Sequence, residues 1–323
     1  MSHKIFSLAL GTVLFALCFP AQAQQPGKIP WIGYLAGSGS GPSPAFIQGL
    51  RDLGYVEGKN IGFVYRTTEG KSERYAELAD DLVRLKVDVI VADGTAPSLA
   101  AKKATSTIPI VMTFTTDPVG TGLVASLAQP GGNVTGLTNI SGELGGKLLE
   151  LLKEIVPKLN RVAILRRGGS ADDFFVKQTE VPARVLGIQL ISIFFGGPED
   201  FEGAFRAMTK ERANGLLPRI VPFVDFAHSK RVAELAVKSR LPSISNLPGW
   251  ADAGGLMSYG TDRNIMYRRT AVYIDKILKG TKPADLPVEA PAKFEFVINL
   301  KAAKQIGLMI PADVLARANK VIK

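Results

Sequence analysis

One architectural unit occurs twice in the 323-residue sequence, and that duplication limits the folds open to it. Each copy begins with a short apolar strand, passes through a Gly-rich loop and enters a helix that ends in Leu-Gly. The first copy reads Trp31-Ile32-Gly33-Tyr34-Leu35, then Gly37-Ser38-Gly39-Ser40-Gly41, then a helix closing on Leu53-Gly54. The second reads Val162-Ala163-Ile164-Leu165, then Arg166-Arg167-Gly168-Gly169-Ser170, then a helix closing on Leu186-Gly187. Between them lies Thr115 to Leu137. It follows the apolar run Ile108 to Phe114 and contains Gln129-Pro130-Gly131-Gly132-Asn133, a turn whose proline fixes φ and whose glycines free it. The expectation is two α/β lobes joined by a short crossover, with a cleft between them and Asp117 at its lip.

The periodicity fills in each lobe. Strands at 30–35, 60–65, 87–91 and 108–114 alternate with helices over 44–53, 72–85 and from about Pro97 to Ala104. Tyr75, Leu78, Ala79, Leu82 and Leu85 fall on one helical face, with Ser72 as the expected cap. Val87 to Val91 is nearly continuous in β-branched residues, which suits a parallel strand covered on both faces. Further on, a helix over 143–155 precedes strands at 161–165, 188–194, 214–220, 241–245 and 254–259, with helices near 172–186, 199–212 and 225–239. A helix over 262–279 is assigned back to the first lobe, and 294–300 is a last strand. Strand–helix alternation of this kind makes parallel, doubly wound sheets.

The N-terminus reads as an address. Lys4 is followed by an apolar stretch from Ile5 to Phe19, short for a bilayer span, and by Ala21-Gln22-Ala23, a small-x-small cleavage pattern. Residues 1–23 are therefore expected to be a signal peptide cut after Ala23, giving an exported, periplasmic protein. Cys18 is the sole cysteine and Leu17 before it argues against lipidation, so the mature chain carries no disulfide. The formal charge of +10 is spread along helices and mixed with acids, as in Arg206 to Arg212, which reads as a solvated surface and not as a nucleic-acid face.

Enzyme chemistry finds little to work with. Of the two histidines, His3 falls in the leader and His228 in a helix pattern. One histidine without cysteines makes neither the usual zinc set nor a Cys–His pair, and no Gly-x-Ser-x-Gly elbow occurs. Gly37 to Gly41 lacks the third glycine of a dinucleotide fingerprint. No cofactor or metal site is expected.

Binding chemistry is better supplied. Open α/β sheets take ligands beyond the carboxyl ends of their strands. There the first half places Ser38 after strand one, Thr95 in the loop after strand three, Asp117 after strand four and Asn139 past the crossover. Thr95, just ahead of a helix, offers a hydroxyl and helix-start N–H groups to a carboxylate. Asp117 offers a charge to an ammonium, or serves as an ordinary turn residue before Pro118. Arg166 and Asn246 are the second-half candidates, on the loops after strands 161–165 and 241–245.

Gly54-Tyr55-Val56-Glu57-Gly58-Lys59-Asn60, Leu85 to Val91, Ala104 to Ile110, Asp117 to Gly136, Gly254 to Gly260 and Lys279 to Pro287 with Phe294 to Lys301 together resemble the ABC transporter substrate-binding proteins, the family that includes tryptophan- and other aromatic-amino-acid-binding members. The resemblance covers nearly all of the mature chain. It implies a type I periplasmic-binding-protein fold, with lobe one at 28–138 plus about 261–290 and lobe two at 139–260 plus about 291–323, joined by three crossings. It also implies closure around a small ligand, and the expectation is a monomer that captures an amino acid or related carboxylate for an inner-membrane ABC permease. The family's binding positions fall on Ser38, Thr95, Asp117 and Asn139. In the second lobe Arg166-Arg167-Gly168-Gly169 replaces a Trp-Asn or Ser-rich loop, and Pro222 stands where the family often has an acid. Two alternatives use the same cleft or none: a ligand-sensing module for a membrane receptor, and an exported hydrolase.

Overall fold

The computed structural model describes residues 28–37, 41–139, 141–219, 226–247 and 249–323. The expected signal peptide, Ser38 and Pro222 lie outside the described residues. Among the described residues no helix is long and apolar enough to cross a membrane.

The first half forms a five-stranded parallel sheet. Its strands are β1 (Trp31–Ala36), β2 (Gly62–Thr67), β3 (Val89–Asp93), β4 (Ile110–Thr116) and β5 (Val134–Asn139), in the order β2-β1-β3-β4-β5. Alternation along each strand feeds two cores. Tyr34, Val91 and Val111 pack under α1 (Pro44–Asp52). Leu35, Ile90, Ala92 and Met112 pack under α2 (Tyr75–Arg84), with α3 (Thr95–Ala104) on the same side.

The second half forms a parallel β7-β6-β8 sheet from β6 (Arg161–Arg166), β7 (Gln189–Phe194) and β8 (Gly215–Arg219). A parallel bridge between Leu216 and Ser243 links it to β9 (Ile244–Ser245). Pro218 takes a donor out of β8, and the Ser245 hydroxyl donates to the Pro218 carbonyl at 3.1 Å. β10 (Met257–Thr261), β11 (Phe294–Asn299) and β12 (Lys320–Ile322) continue outward, with β10 and β11 antiparallel. α4 (Ser141–Ile155) and α5 (Ser170–Val185) cover one face. α6 (Phe201–Lys210) and α7 (Phe226–Lys238) cover the other. α9 (Leu300–Ile306) and α10 (Ala312–Ala316) close the chain against the first of these cores.

α8 (Arg263–Leu278) leaves the second sheet and packs on α1, sharing its core with β1, β3 and β4. The strap that follows joins the same body: Glu289 bridges Leu137 of β5, and the Thr138 N–H donates to the Glu289 carbonyl at 2.9 Å. The chain thus passes between the two sheets at 139–141, at 261–263 and between 289 and 294.

Several element bounds differ from the expected ones in a consistent way. β2, β3 and β4 each begin and end about two residues later than their apolar runs suggest, finishing on Arg66-Thr67, Asp93 and Thr115-Thr116. Ladder pairing uses backbone groups, so polar residues extend a strand past its hydrophobic stretch. The helix expected from Pro97 starts at Thr95, because Gly94 at φ +111° turns the chain directly out of β3.

Candidate functional site

The carboxyl ends of the first sheet carry a connected set of polar and aromatic groups. β4 supplies its centre. The register between β4 and β5 shifts between Met112 and Thr115, and Phe114 sits in that irregularity at φ +51°. A bulky residue in the left-handed region is strained, and such strain persists only where the surroundings enforce it. Here the Asn139 amide donates to the Phe114 carbonyl at 2.7 Å, and the Thr116 hydroxyl donates to Asn139 Oδ1 at 3.1 Å. The Thr116 N–H donates in turn to Thr95 Oγ1 at 3.0 Å. Thr95, Thr116 and Asn139 are therefore one hydrogen-bonded unit across α3, β4 and β5. The sequence placed Thr95 and Asn139 at these loops; it did not reveal Thr116 as the link.

On the other side of Phe114 lies a second set. Asp93, at the end of β3, accepts from Tyr34 at 3.1 Å and Tyr267 at 2.8 Å through Oδ2, and from Thr113 at 3.2 Å through Oδ1. Tyr267 also accepts from Arg263 Nη2 at 2.9 Å. The Arg263 guanidinium lies 4.0 Å from the Phe114 ring centroid and 5.5 Å from that of Tyr267, and the two rings meet edge to face at 5.0 Å. Burial and the Asp93 charge push the Tyr267 hydroxyl up, so it stays protonated and donates to the carboxylate. Burial acts against the Arg263 charge, but Tyr267 and Asp93 outweigh it and raise its pKa. The Arg263–Tyr267 spacing of four residues on one helix face was the available signal, together with hydroxyl-bearing residues inside β4.

Asp117 is held differently. It stands at φ +45°, and its Oδ1 accepts from the Gly120 N–H at 2.9 Å while its carbonyl accepts from Thr121 N–H and hydroxyl. The carboxylate closes a turn and remains half-buried.

In the second body Phe194, Arg166 and Arg219 pair across β7, β6 and β8, so their side chains share one face of the sheet. Arg166 donates to Asp173 at 2.6 Å and lies 4.6 Å from the Phe194 ring. It is only 9% exposed, and its Nε is buried without an acceptor among the described residues. Arg219 donates to Asp172 at 3.3 Å and to Asn246 Oδ1 at 3.2 Å, over the Phe175 ring at 4.2 Å. The structure thus brings Asn246 into the Arg219–Asp172 network and gives Arg166 an acid of its own lobe. Burial pushes the Asp172 carboxyl up against the pull of Arg219. Arg219, which falls within the strand expected at 214–220, is the organising cation here. Among the described residues no cluster of side chains suited to a metal occurs.

This geometry, polar groups gathered at the carboxyl ends of two sheets through which the chain passes three times, can be set beside known proteins. The profile of the ABC transporter substrate binding proteins matches residues 43–322. The chain belongs to that family. It is 27% identical over 275 residues to a tyrosine-binding protein of Clostridioides difficile strain R20291, covering 81% of this chain and 75% of the relative. A conserved domain protein from Vibrio cholerae O1 biovar El Tor superposes with a TM-score of 0.83 at 31% identity, over 91% of this chain and all of that one. A Streptococcus ABC domain in complex with L-Trp gives 0.81 at 26% identity, over 91% and 99%. The leucine-binding protein LivK from Thermotoga maritima, at 17% identity and a TM-score of 0.53 over 80% and 78%, shares the fold alone. The architecture is that of the type I periplasmic binding proteins, with two lobes of helix-flanked parallel sheet joined by three crossings. Substrate-binding proteins of this family are typically extracytoplasmic and work with ABC permeases.

Proposed function

We propose that this chain is the periplasmic solute-binding component of an ABC importer, and that it takes an amino acid or related carboxylate into a cleft between its lobes. The observation that carries the reading is the bonded unit Thr95–Thr116–Asn139. It fixes hydroxyl and amide groups at the carboxyl ends of three adjacent strands, beside the start of α3. The first N–H groups of a helix favour an anionic group, and the Thr95 hydroxyl, whose oxygen accepts from the Thr116 N–H, keeps its own O–H as a donor. Asp117 is the partner of a ligand ammonium, with Arg166 and Asn246 on the opposing lobe. Lobe one comprises 28–138 with about 261–290, lobe two the remainder, and the crossings at 139–141, 261–263 and 289–294 are the hinge. A ligand touching both lobes favours the closed form by its differential contacts alone. The leader is removed after Ala23, and the mature protein acts as a monomer without chemistry of its own.

A thermal-shift screen of the mature protein against amino acids and organic acids tests the reading. A ligand at one hundred times its Kd should add about 2.7 kcal/mol of stability. A library in which no compound moves the transition, or in which a hit is consumed on incubation, contradicts it.

A further inference from the structure

We propose that Arg263 is the residue that receives the ligand's carboxylate, an assignment that rests on the binding role argued above. Three observations carry it. First, Arg263 makes no direct ion pair among the described residues: its contacts are one hydrogen bond to a tyrosine hydroxyl and two aromatic faces, and the Asp93 carboxylate that favours its charge acts from behind Tyr267. The arginines facing it in role, Arg166 and Arg219, already hold Asp173 and Asp172. A guanidinium has five N–H donors in a planar fork, and among the described residues four of those on Arg263 are uncommitted.

Second, the cation is aimed. Tyr267 gives its proton to Asp93, so the lone pair it turns to Arg263 is fixed, and Asp93 is itself held by Tyr34 and Thr113. The Phe114 ring floors the guanidinium from a strained backbone position. Four elements, β1, β3, β4 and α8, thus converge on orienting one charge that makes no direct ion pair among the described residues. A surface arginine with a merely solvated head requires none of this.

Third, the position is right. Phe114 joins the two sets: its ring lies under Arg263, and its carbonyl accepts from Asn139, which holds Thr116 and, through it, Thr95. Arg263 is also the first residue of α8, immediately after the Asp262 cap and the second crossing between the sheets. A carboxylate bound in the fork therefore sits where hinge and site meet. Arg263 on the first lobe, not Arg166 on the second, supplies the anion-binding charge.

The test is calorimetric titration of the mature wild-type protein and of Arg263→Gln, Arg263→Lys and Tyr267→Phe. The probes are L-tyrosine, L-tryptophan, L-glutamate and succinate, each set against its amide. The tightest acid should bind wild type well above its amide, and Arg263→Gln should weaken it at least about thirty-fold and erase the acid-over-amide preference. Arg263→Lys, which keeps the charge and loses the fork, should fall between. Tyr267→Phe keeps the ring and unfixes the guanidinium, so it should lower the acid-over-amide ratio. A purely structural tyrosine would lower the melting temperature alone. Tight acid binding unchanged in Arg263→Gln overturns the assignment and leaves the transport reading intact. Binding of none of the four acids to wild type overturns both.

Discussion

The buried pair of the second lobe gives the sharpest stability prediction. Arg219 and Asp172 have side chains 7% and 3% exposed, and among the described residues Asp172 accepts from Arg219 and the Gly168 N–H alone. Arg219→Met keeps a long apolar stem over Phe175 and removes the cation. What remains is a carboxylate without its counter-ion, a defect that costs about 3–5 kcal/mol in comparable sites. The retained methionine packing places the expected loss near the lower end, at about 3 kcal/mol at pH 7. The sign with pH is fixed. Burial already raises the Asp172 carboxyl, and losing Arg219 raises it further. The unfolded chain then binds fewer protons than the folded one, so variant stability falls as pH rises from the ordinary aspartate value towards the raised one. Urea unfolding of the ligand-free variant should therefore show a smaller loss at about pH 5 than at pH 7. Adding Asp172→Asn should recover more than half of it. A loss below about 1 kcal/mol, or one equal at both pH values, refutes the claim that the pair is a dry, mutually dependent unit.

Two further substitutions probe the frame around the site. Gly136 lies at φ +129°, and a Cβ there would stand 2.2 Å from the Met112 carbonyl oxygen, so Gly136→Ala should cost about 3 kcal/mol or more in thermal unfolding; a loss below about 1 kcal/mol contradicts that geometry. Glu289, held below its usual range by its two hydrogen bonds from Arg269, contributes stability above the ordinary glutamate value that is lost as pH falls through the lowered one. Both side chains are more than a third exposed, so Glu289→Gln should cost only about 0.5–1 kcal/mol at pH 7, with the gap to wild type closing towards about pH 3; a constant gap counts against the pair.

The fold was legible because its signals are local and repeated. The apolar runs of β1 and β6, the glycines after helices and the amphipathic face of α2 each announce their element without reference to the rest of the chain. The strand ends were less so, since Thr115, Thr116 and Asp93 join the ladder through their backbones while their side chains read as loop. Within the site, Thr95 and Asn139 were visible as polar residues at predicted strand ends. The Asp93–Tyr267–Arg263 set was not: the helix over 262–279 is assigned to the first lobe, but its contact with β3 spans about 170 residues and no local pattern names the residues that meet. Arg219 reads as a single charge within the expected strand 214–220, and its register beside Arg166 and its pairing with Asp172 explain it.

Backbone hydrogen exchange of the mature protein, with and without the tightest ligand from the screen, tests whether one ligand is held by both lobes. Exchange should slow at 93–96, 114–117, 139 and 263–267 in the first lobe, with further slowing at 166–169 and 246–247 in the second. Protection confined to one lobe, or found instead around the hollow lined by Ile47, Arg51, Tyr55 and Phe63, would contradict it.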